Sequence, residues 1–313
     1  MKHVAHGRLV VVLVLICSIT VSTNLFGQTK SNKSGNDDVI KLGVAMVSLS
    51  VTVIDRTGNF VVGLNQDNFE IYEDKIKQNV VNFTLEDAPL SVGIIFDLSG
   101  SMKNKIRGSH DALKSFTRIC RDDDNIFVLG FNNHIQLLRD YTSDDGEVLS
   151  SVLGAQAEGR TALYDAVYMG LEKAKQGRNA RKVLLVISDG QDNNSRYTLK
   201  EIERLAKESD VTVYSIGIME SSGNTALDLE GADALNRLAD ITGGQAFFPG
   251  TLDSLEAVCT YIALELRSQY NLSFVPTNGA RDGKWRSVKV RVNATQKSST
   301  LNVRSRTGYF GMR

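Results

Sequence analysis

The sequence has little cysteine, few aromatic residues and no excess of either charge. Three cysteines in 313 residues are too few for a disulfide framework, so a hydrophobic core must hold the fold, with or without a bound metal. Basic and acidic side chains number 36 each, and aromatic residues make up 7% of the chain. This composition gives no indication of a nucleic-acid partner or a polybasic membrane patch. At about 100–200 residues per domain, the length predicts about two domains.

The first thirty residues differ from the rest of the chain. Lys2 and Arg8 precede an apolar run from Leu9 to Val21, and small and polar residues follow, with a cleavage point after Gly27. This order is typical of a signal peptide, which we predict over residues 1–27. A transmembrane anchor is the alternative, but a bilayer span needs about 20 apolar residues and this run is shorter. We therefore expect an exported protein (periplasmic, cell-surface or secreted) with no membrane span after signal removal.

Short stretches with a two-residue period lie on both sides of the centre. Gln28 to Asp38 are polar and lack periodicity, and we predict a linker over residues 28–40. Strict alternation from Val47 to Val53 predicts a half-buried antiparallel strand. Turn signals separate further short strands, at Phe69 to Tyr72, Val80 to Phe83, Tyr270 to Phe274, Val288 to Val292 and Leu301 to Arg304. We therefore predict two β segments, residues 41–88 and 268–313.

Residues 89–267 follow a different pattern. Continuous apolar runs predict strands covered on both faces, as in a parallel sheet, at Val92 to Phe96, Ile126 to Phe131, Val183 to Ile187 and Val211 to Ile218. Segments of helical period separate them, and two more follow the last run, which predicts a doubly wound α/β domain. Because this unit opens with a strand and closes with an antiparallel helix, its two ends should lie together. We expect the flanks to pair into one small sandwich with the α/β domain inserted; two separate β appendages are the alternative.

Side chains that carry oxygen follow several elements at one edge of the predicted sheet. The first buried strand ends at Asp97, and Ser99 and Ser101 come next; a later strand is followed by Asp189, and Thr161 begins a helix. Ligands of open parallel sheets bind outside the carboxyl ends of the strands. Two carboxylates and three hydroxyls suit a hard divalent cation, Mg²⁺ first, with Mn²⁺ or Ca²⁺ as alternatives. Neutral hydroxyls leave the ion much of its charge and a position open for a partner's carboxylate.

This set of residues resembles the metal-ion-dependent adhesion site (MIDAS) of von Willebrand factor A and integrin I domains. Every position of that site is filled, by Asp97, Ser99, Ser101, Thr161 and Asp189. The resemblance covers roughly Leu90 to Arg267 and implies a Rossmann-like VWFA fold. It also implies that the serines bind the cation directly, that the other three residues bind it directly or through water, and that a protein ligand supplies an Asp or Glu carboxylate.

The flanking segments extend the resemblance. Asn68 to Asp74, Arg281 to Trp285 and Gly308-Tyr309 are similar to exported bacterial proteins called VWFA-related, many of them known from acidobacteria. The partners of those proteins are mostly uncharacterised. This likeness therefore supports the architecture more than a biological role, and the partner and oligomeric state stay open.

Two other functions compete with adhesion. A metal-dependent hydrolase would need a general base or nucleophile near the ion. His110, on the first helix, and His134, in a turn between strands, have no expected route to the edge that carries Asp97, so we expect no catalytic residue and no enzyme. The other alternative is a structural role, in which the site only stabilises a VWFA scaffold and binds no ligand through a metal.

Polar residues near and far from the candidate site are expected to be ordinary loop residues. Gln191, Asp192 and Asn193 follow Asp189 and are expected to shape its loop. The acidic run Asp122 to Asp124 lies at the opposite edge of the sheet, where we expect a solvated connection.

Overall fold

The computed structural model describes residues 46–85, 88–219, 226–293 and 301–312. The predicted signal peptide, residues 1–27, and the predicted linker, residues 28–40, lie outside this part of the chain. None of the helices described is long and apolar enough to cross a membrane.

The described residues form fourteen strands and six α-helices. The strands are β1 (Val47–Ile54), β2 (Phe69–Glu73), β3 (Ile76–Gln78), β4 (Val80–Thr84), β5 (Leu90–Asp97), β6 (Asn125–Phe131), β7 (Ile135–Thr142), β8 (Arg181–Ser188), β9 (Val211–Gly217), β10 (Ala246–Phe247), β11 (Tyr270–Phe274), β12 (Trp285–Val292), β13 (Asn302–Arg304) and β14 (Gly308–Phe310). The helices are α1 (Ile106–Thr117), α2 (Asp145–Leu153), α3 (Leu163–Ala174), α4 (Leu199–Glu208), α5 (Ala226–Thr242) and α6 (Leu252–Arg267).

A six-stranded sheet of order β10-β9-β8-β5-β6-β7 forms the centre. Five strands are parallel, and β7 is antiparallel at the edge beside β6. Side chains of α1, α2 and α6 pack on one face of the sheet, and side chains of α3, α4 and α5 pack on the other. All eight residues of β5 are buried, as a strand covered on both sides requires. The predicted doubly wound α/β fold is confirmed.

Several elements were absent from the sequence-based expectation. The edge strand β7 is half-exposed, and its pairing with β6 shifts register near Val128, so its residues show no clean alternation. Helix α2, which follows it, also went unassigned. The strands β3, β10 and β14 have only two or three residues each, too few for a periodic pattern to register.

Two antiparallel sheets combine strands from both sides of the α/β unit. One has the order β13-β1-β11-β4 and the other β14-β12-β2-β3. They share one apolar core, in which Val51, Ile71, Tyr270 and Leu272 are fully buried. The predicted sandwich built from both flanks is therefore present. Neither flank alone has enough strands to complete this core, so each needs the other. The predicted domain boundaries themselves stay a prediction.

The buried carboxylate of Asp124 ties the two ends of the α/β unit together. Its oxygens accept hydrogen bonds from the backbone N–H of Leu90, at 2.7 Å, and of Arg121, at 2.8 Å. The guanidinium of Arg267 at the end of α6 also pairs with this carboxylate. Asp124 is 1% exposed, so the expectation of a solvated connection is wrong at this residue. Three donors that converge from distant parts of the chain compensate its burial.

A second buried network joins α6 to the sandwich. Oε1 of Glu265 accepts hydrogen bonds from the hydroxyls of Thr52, at 2.9 Å, and Tyr214, at 2.7 Å, and pairs with the guanidinium of Arg304. The amide of Gln269 donates to the same two hydroxyls at 3.1 Å. Burial, and then the charge of Glu265, raise the pKa of Tyr214 well above its usual value. The network thus connects α6, the central sheet and the strands β1 and β13.

We expect Arg304→Ala to lower the free energy of unfolding by about 3 kcal/mol, because it leaves the Glu265 carboxylate buried without its basic partner. Urea denaturation measures this change. Arg281→Ala is the matched control, since Arg281 is exposed and its loss should change stability by less than about 0.5 kcal/mol. Equal losses in the two variants would show that the pair does not hold the sandwich to α6.

Candidate metal site

Parallel pairing of β5 with β8 brings two acidic loops side by side. Phe96 lies opposite Ile187 in this register, so the strands end at the same level of the sheet. Asp97 is the last residue of β5, and Asp189 directly follows β8. The two carboxylates therefore emerge at one edge, as the sequence predicts for carboxyl ends of adjacent parallel strands.

Hydrogen bonds link four of the five predicted residues. Oδ1 of Asp97 accepts from the backbone N–H of Ser99 at 2.8 Å. The hydroxyl oxygens of Ser99 and Ser101 lie 3.0 Å apart, and the hydroxyl of Ser101 donates to Oδ2 of Asp189 at 2.6 Å. The structure thus gathers oxygen atoms from two loops into one cluster.

Backbone contacts place the fifth residue, Thr161, between these loops. The carbonyl of Gly159 accepts from the N–H of Gly100 at 3.1 Å, which holds the Thr161 loop against the serine loop. On the other side, the N–H of Thr161 donates to Oδ1 of Asn193, and the N–H of Asn193 donates to the carbonyl of Thr161, both at 3.0 Å. All five predicted residues meet at this edge; their role as metal ligands stays a prediction.

Ser188 is a site residue that the sequence reasoning missed. Its hydroxyl donates to Oδ2 of Asp97 at 2.6 Å and accepts from the N–H of Gly190 at 3.0 Å. Ser188 is completely buried and is the last residue of β8. The signal was its position directly before Asp189, at a strand end expected beside Asp97. Ser188 therefore orients the Asp97 carboxylate from the side opposite the backbone N–H of Ser99.

The carboxylate of Asp97 is deeply buried. Burial raises its pKa to about 6, although hydrogen bonds from Ser188 and Ser99 oppose the shift and the charge of Asp189 adds to it. Among the described residues, no lysine or arginine forms an ion pair with either aspartate. Two nearby carboxylates and neutral hydroxyls without a basic partner fit a divalent cation, because buried charges need compensation.

Close backbone packing fixes the loop after Asp189. Gly190 has a φ of +83°, and a Cβ atom there would lie 2.8 Å from the carbonyl oxygen of Gly231 in α5. Only glycine allows this contact.

Oδ1 of Asp192 accepts from the hydroxyl of Ser195 at 2.6 Å, and Asn193 holds Thr161 as described. These polar residues shape the loop, as the sequence predicts.

His134 lies at the same edge as the candidate site, contrary to expectation. The strand β6 runs parallel to β5, with Asp97 opposite Phe131, so the turn after β6 is also at the carboxyl edge of the sheet. This turn was expected to lie away from Asp97, but a loop that follows a parallel strand begins at the carboxyl edge whichever element comes next. Within the described part of the chain, no hydrogen bond joins the His134 ring to the five predicted residues.

Solved structures of similar fold include proximal thread matrix protein 1 from the mussel byssus, with a TM-score of 0.50 at 15% identity over 62% of this chain and 51% of that one. A von Willebrand factor type A protein from Catenulispora acidiphila has a TM-score of 0.48 at 12% identity, over 85% and 73%. The PilB minor pilin from Streptococcus sanguinis has a TM-score of 0.47 at 12% identity, over 59% and 63%. This chain thus spans less than two thirds of the pilin and of the byssus protein. At 15% identity, the likeness to the byssus protein concerns the fold alone.

No curated protein matches the sequence. The sequence model of the von Willebrand factor type A domain matches residues 91–259, which is more than half of the chain. This range begins in β5 and ends in α6, and it contains all five residues of the candidate site. The chain belongs to the von Willebrand factor type A domain family.

Proposed function

We propose that this protein is a binding module that holds one divalent cation, Mg²⁺ first and Mn²⁺ or Ca²⁺ as alternatives, and uses it to bind a carboxylate of a partner protein. One observation carries the proposal: hydroxyl and carboxylate oxygens of the Asp97 and Asp189 loops cluster at a sheet edge, the Thr161 loop lies against them, and within the described chain no lysine or arginine forms an ion pair with either aspartate. The residues that would hold the ion are Asp97, Ser99, Ser101, Thr161 and Asp189. A bound cation supplies an open coordination position that an Asp or Glu side chain can occupy.

The burial of the site residues supports binding from one side. Asp97, Ser99 and Thr161 are nearly or completely buried, whereas Ser101 is exposed. A partner side chain would therefore approach over Ser101. The hydroxyl of Ser101 donates to Asp189, which is itself 5% exposed, so this hydrogen bond would be exchanged when the cation and the partner's carboxylate bind.

We further propose that the protein acts outside the cytoplasm, as an adhesion or scaffolding module. The signal-peptide pattern of residues 1–27 supports export. The family also includes modules of this kind, which agrees with a role in protein binding rather than catalysis. A purely structural site and a metal-dependent hydrolase are the competing functions, and the experiments below separate them.

We expect wild-type protein to bind one Mg²⁺ or Mn²⁺ ion in calorimetric titration, and Asp97→Ala to bind it at least about 10-fold more weakly, because the change removes a carboxylate with strong attraction for the ion. Asp122→Ala is the control, since Asp122 is exposed at the opposite edge of the sheet. Equal affinity in wild type and Asp97→Ala would defeat the site assignment.

The hydroxyl of Ser188 allows a subtler experiment. Ser188→Ala removes the hydrogen bond to Oδ2 of Asp97, so we expect about 10-fold weaker Mg²⁺ binding with little loss of fold. Calorimetry gives the affinity and thermal unfolding checks the fold. Ser215→Ala is a matched control, because Ser215 is an equally buried serine on the neighbouring strand, and its hydroxyl has no hydrogen-bond partner among the described residues. If both variants bind the ion as wild type does, Ser188 plays no part in the site.

Capture on immobilised protein distinguishes adhesion from its alternatives. We expect proteins from the source organism to bind in Mg²⁺, to elute with EDTA and to be absent from an Asp97→Ala column, because the cation would bridge the two surfaces. Binding that is insensitive to EDTA would favour a structural site. Turnover of generic ester or phosphate substrates that requires Asp97 would favour the hydrolase.

A further inference from the structure

A cavity of about 460 Å³ opens beside the candidate metal site. Its lining is mixed: Leu98, Phe131 and Leu138 are apolar, whereas Gln136, Gln156 and Glu158 are among the polar residues. The cavity lies between the serine loop, the β6–β7 turn and the end of α2. Its volume is sufficient for one large side chain.

The cavity and the site share a wall. Leu98, which lines the cavity, stands in the chain between Asp97 and Ser99, and its carbonyl accepts a hydrogen bond from the N–H of Glu158 at 2.8 Å. Thr161 follows Glu158 by three positions in the chain, which is at most about 10 Å of extended chain. One partner segment can therefore reach both places at once.

The charge of the lining favours a cation. Glu158 is an exposed carboxylate, and none of the residues that line this cavity is a lysine or an arginine. Within the described chain, no basic side chain forms an ion pair with Glu158. His134 is the other titratable residue of the lining. A basic side chain that enters would meet an acidic group and several polar ones, whereas an acidic side chain would be repelled.

We propose that this cavity receives a lysine or arginine of the same partner whose carboxylate binds the cation. An extended segment rises about 3.3 Å per residue, so a span of at most about 10 Å places the basic residue within about four positions of the Asp or Glu. This inference rests on the proposed function and names its partner more closely: an acidic residue with a basic residue a few positions away. Glu158 is then a specificity-determining residue, outside the cation's ligands.

The test uses the full chain in Mg²⁺ and synthetic eleven-residue peptides of Ser, Thr and Gly with one central Asp. Each peptide carries one test residue, Lys, Gln or Phe, either three positions before the Asp or three positions after it. NMR titration measures the affinity of each peptide. We expect the better Lys peptide to bind about 3- to 5-fold more tightly than its Gln counterpart, a difference typical of a single solvent-accessible ion pair. The difference should shrink as salt is added.

Variants of the protein assign the preference to the cavity. Glu158→Gln should abolish the preference for Lys and leave the affinity for Mg²⁺ and for the Gln peptide unchanged. Gln156→Lys, at an exposed position of the lining, should disfavour the Lys peptide by repulsion. Glu208→Gln, at an exposed glutamate at the end of α4, is the matched control and should keep the wild-type preference.

The outcomes distinguish failure of the cavity assignment from failure of carboxylate binding at the cation. Binding that depends on Mg²⁺ and on the Asp but is indifferent to Lys, or a Lys preference that survives in Glu158→Gln, overturns the cavity assignment alone. Tighter binding of the Phe peptide also overturns it, in favour of an apolar occupant. If no peptide binds although calorimetry shows Mg²⁺ bound, binding of a carboxylate at the cation is refuted, and the cavity proposal fails with it.

Discussion

The parallel register of β5 and β8 is the constraint on which the candidate site depends. Because Phe96 is paired with Ile187, Asp97 and Ser188 lie side by side, and the hydroxyl of Ser188 can hold the buried carboxylate. The same register places Asp189 within reach of Ser101. A shift of this pairing by one residue would turn one of the two strands over, since alternate side chains face opposite sides of a sheet. The oxygen cluster would then not form.

The two edges of the α/β unit have different tasks. At the carboxyl edge, the loops of Asp97, Thr161 and Asp189 lie together, and among the described residues no lysine or arginine forms an ion pair with either aspartate. At the opposite edge, Asp124 binds both the start of β5 and the end of α6. The network around Glu265 then connects α6 to the sandwich through Thr52 and Arg304. The buried ion pairs of Asp124 and Glu265 thus lie away from the candidate site.

Long, strongly patterned elements could be predicted, and short or irregular ones could not. Continuous apolar runs identified β5, β6, β8 and β9, because a strand covered on both faces needs apolar residues at every position. The edge strand β7 lacks such a run, since one of its sides meets solvent and its register shifts. The turn that carries His134 was expected to be remote from Asp97, although β6 pairs in parallel with β5 and therefore ends at the same edge. His134 was considered from the sequence as a possible catalytic residue, but its position relative to Asp97 was predicted wrongly.

The sequence by itself determined the alternation of strands and helices, the antiparallel character of both flanks and the five residues of the candidate site, because periodicity and motif spacing are local properties. Tertiary structure alone decided which polar residues pair. Asp124 and Ser188 look like ordinary loop and strand-end residues until Arg267 and Asp97 come to lie against them. Their roles arise from contacts between residues far apart in the chain, where packing rather than local pattern selects the partner of each buried charge.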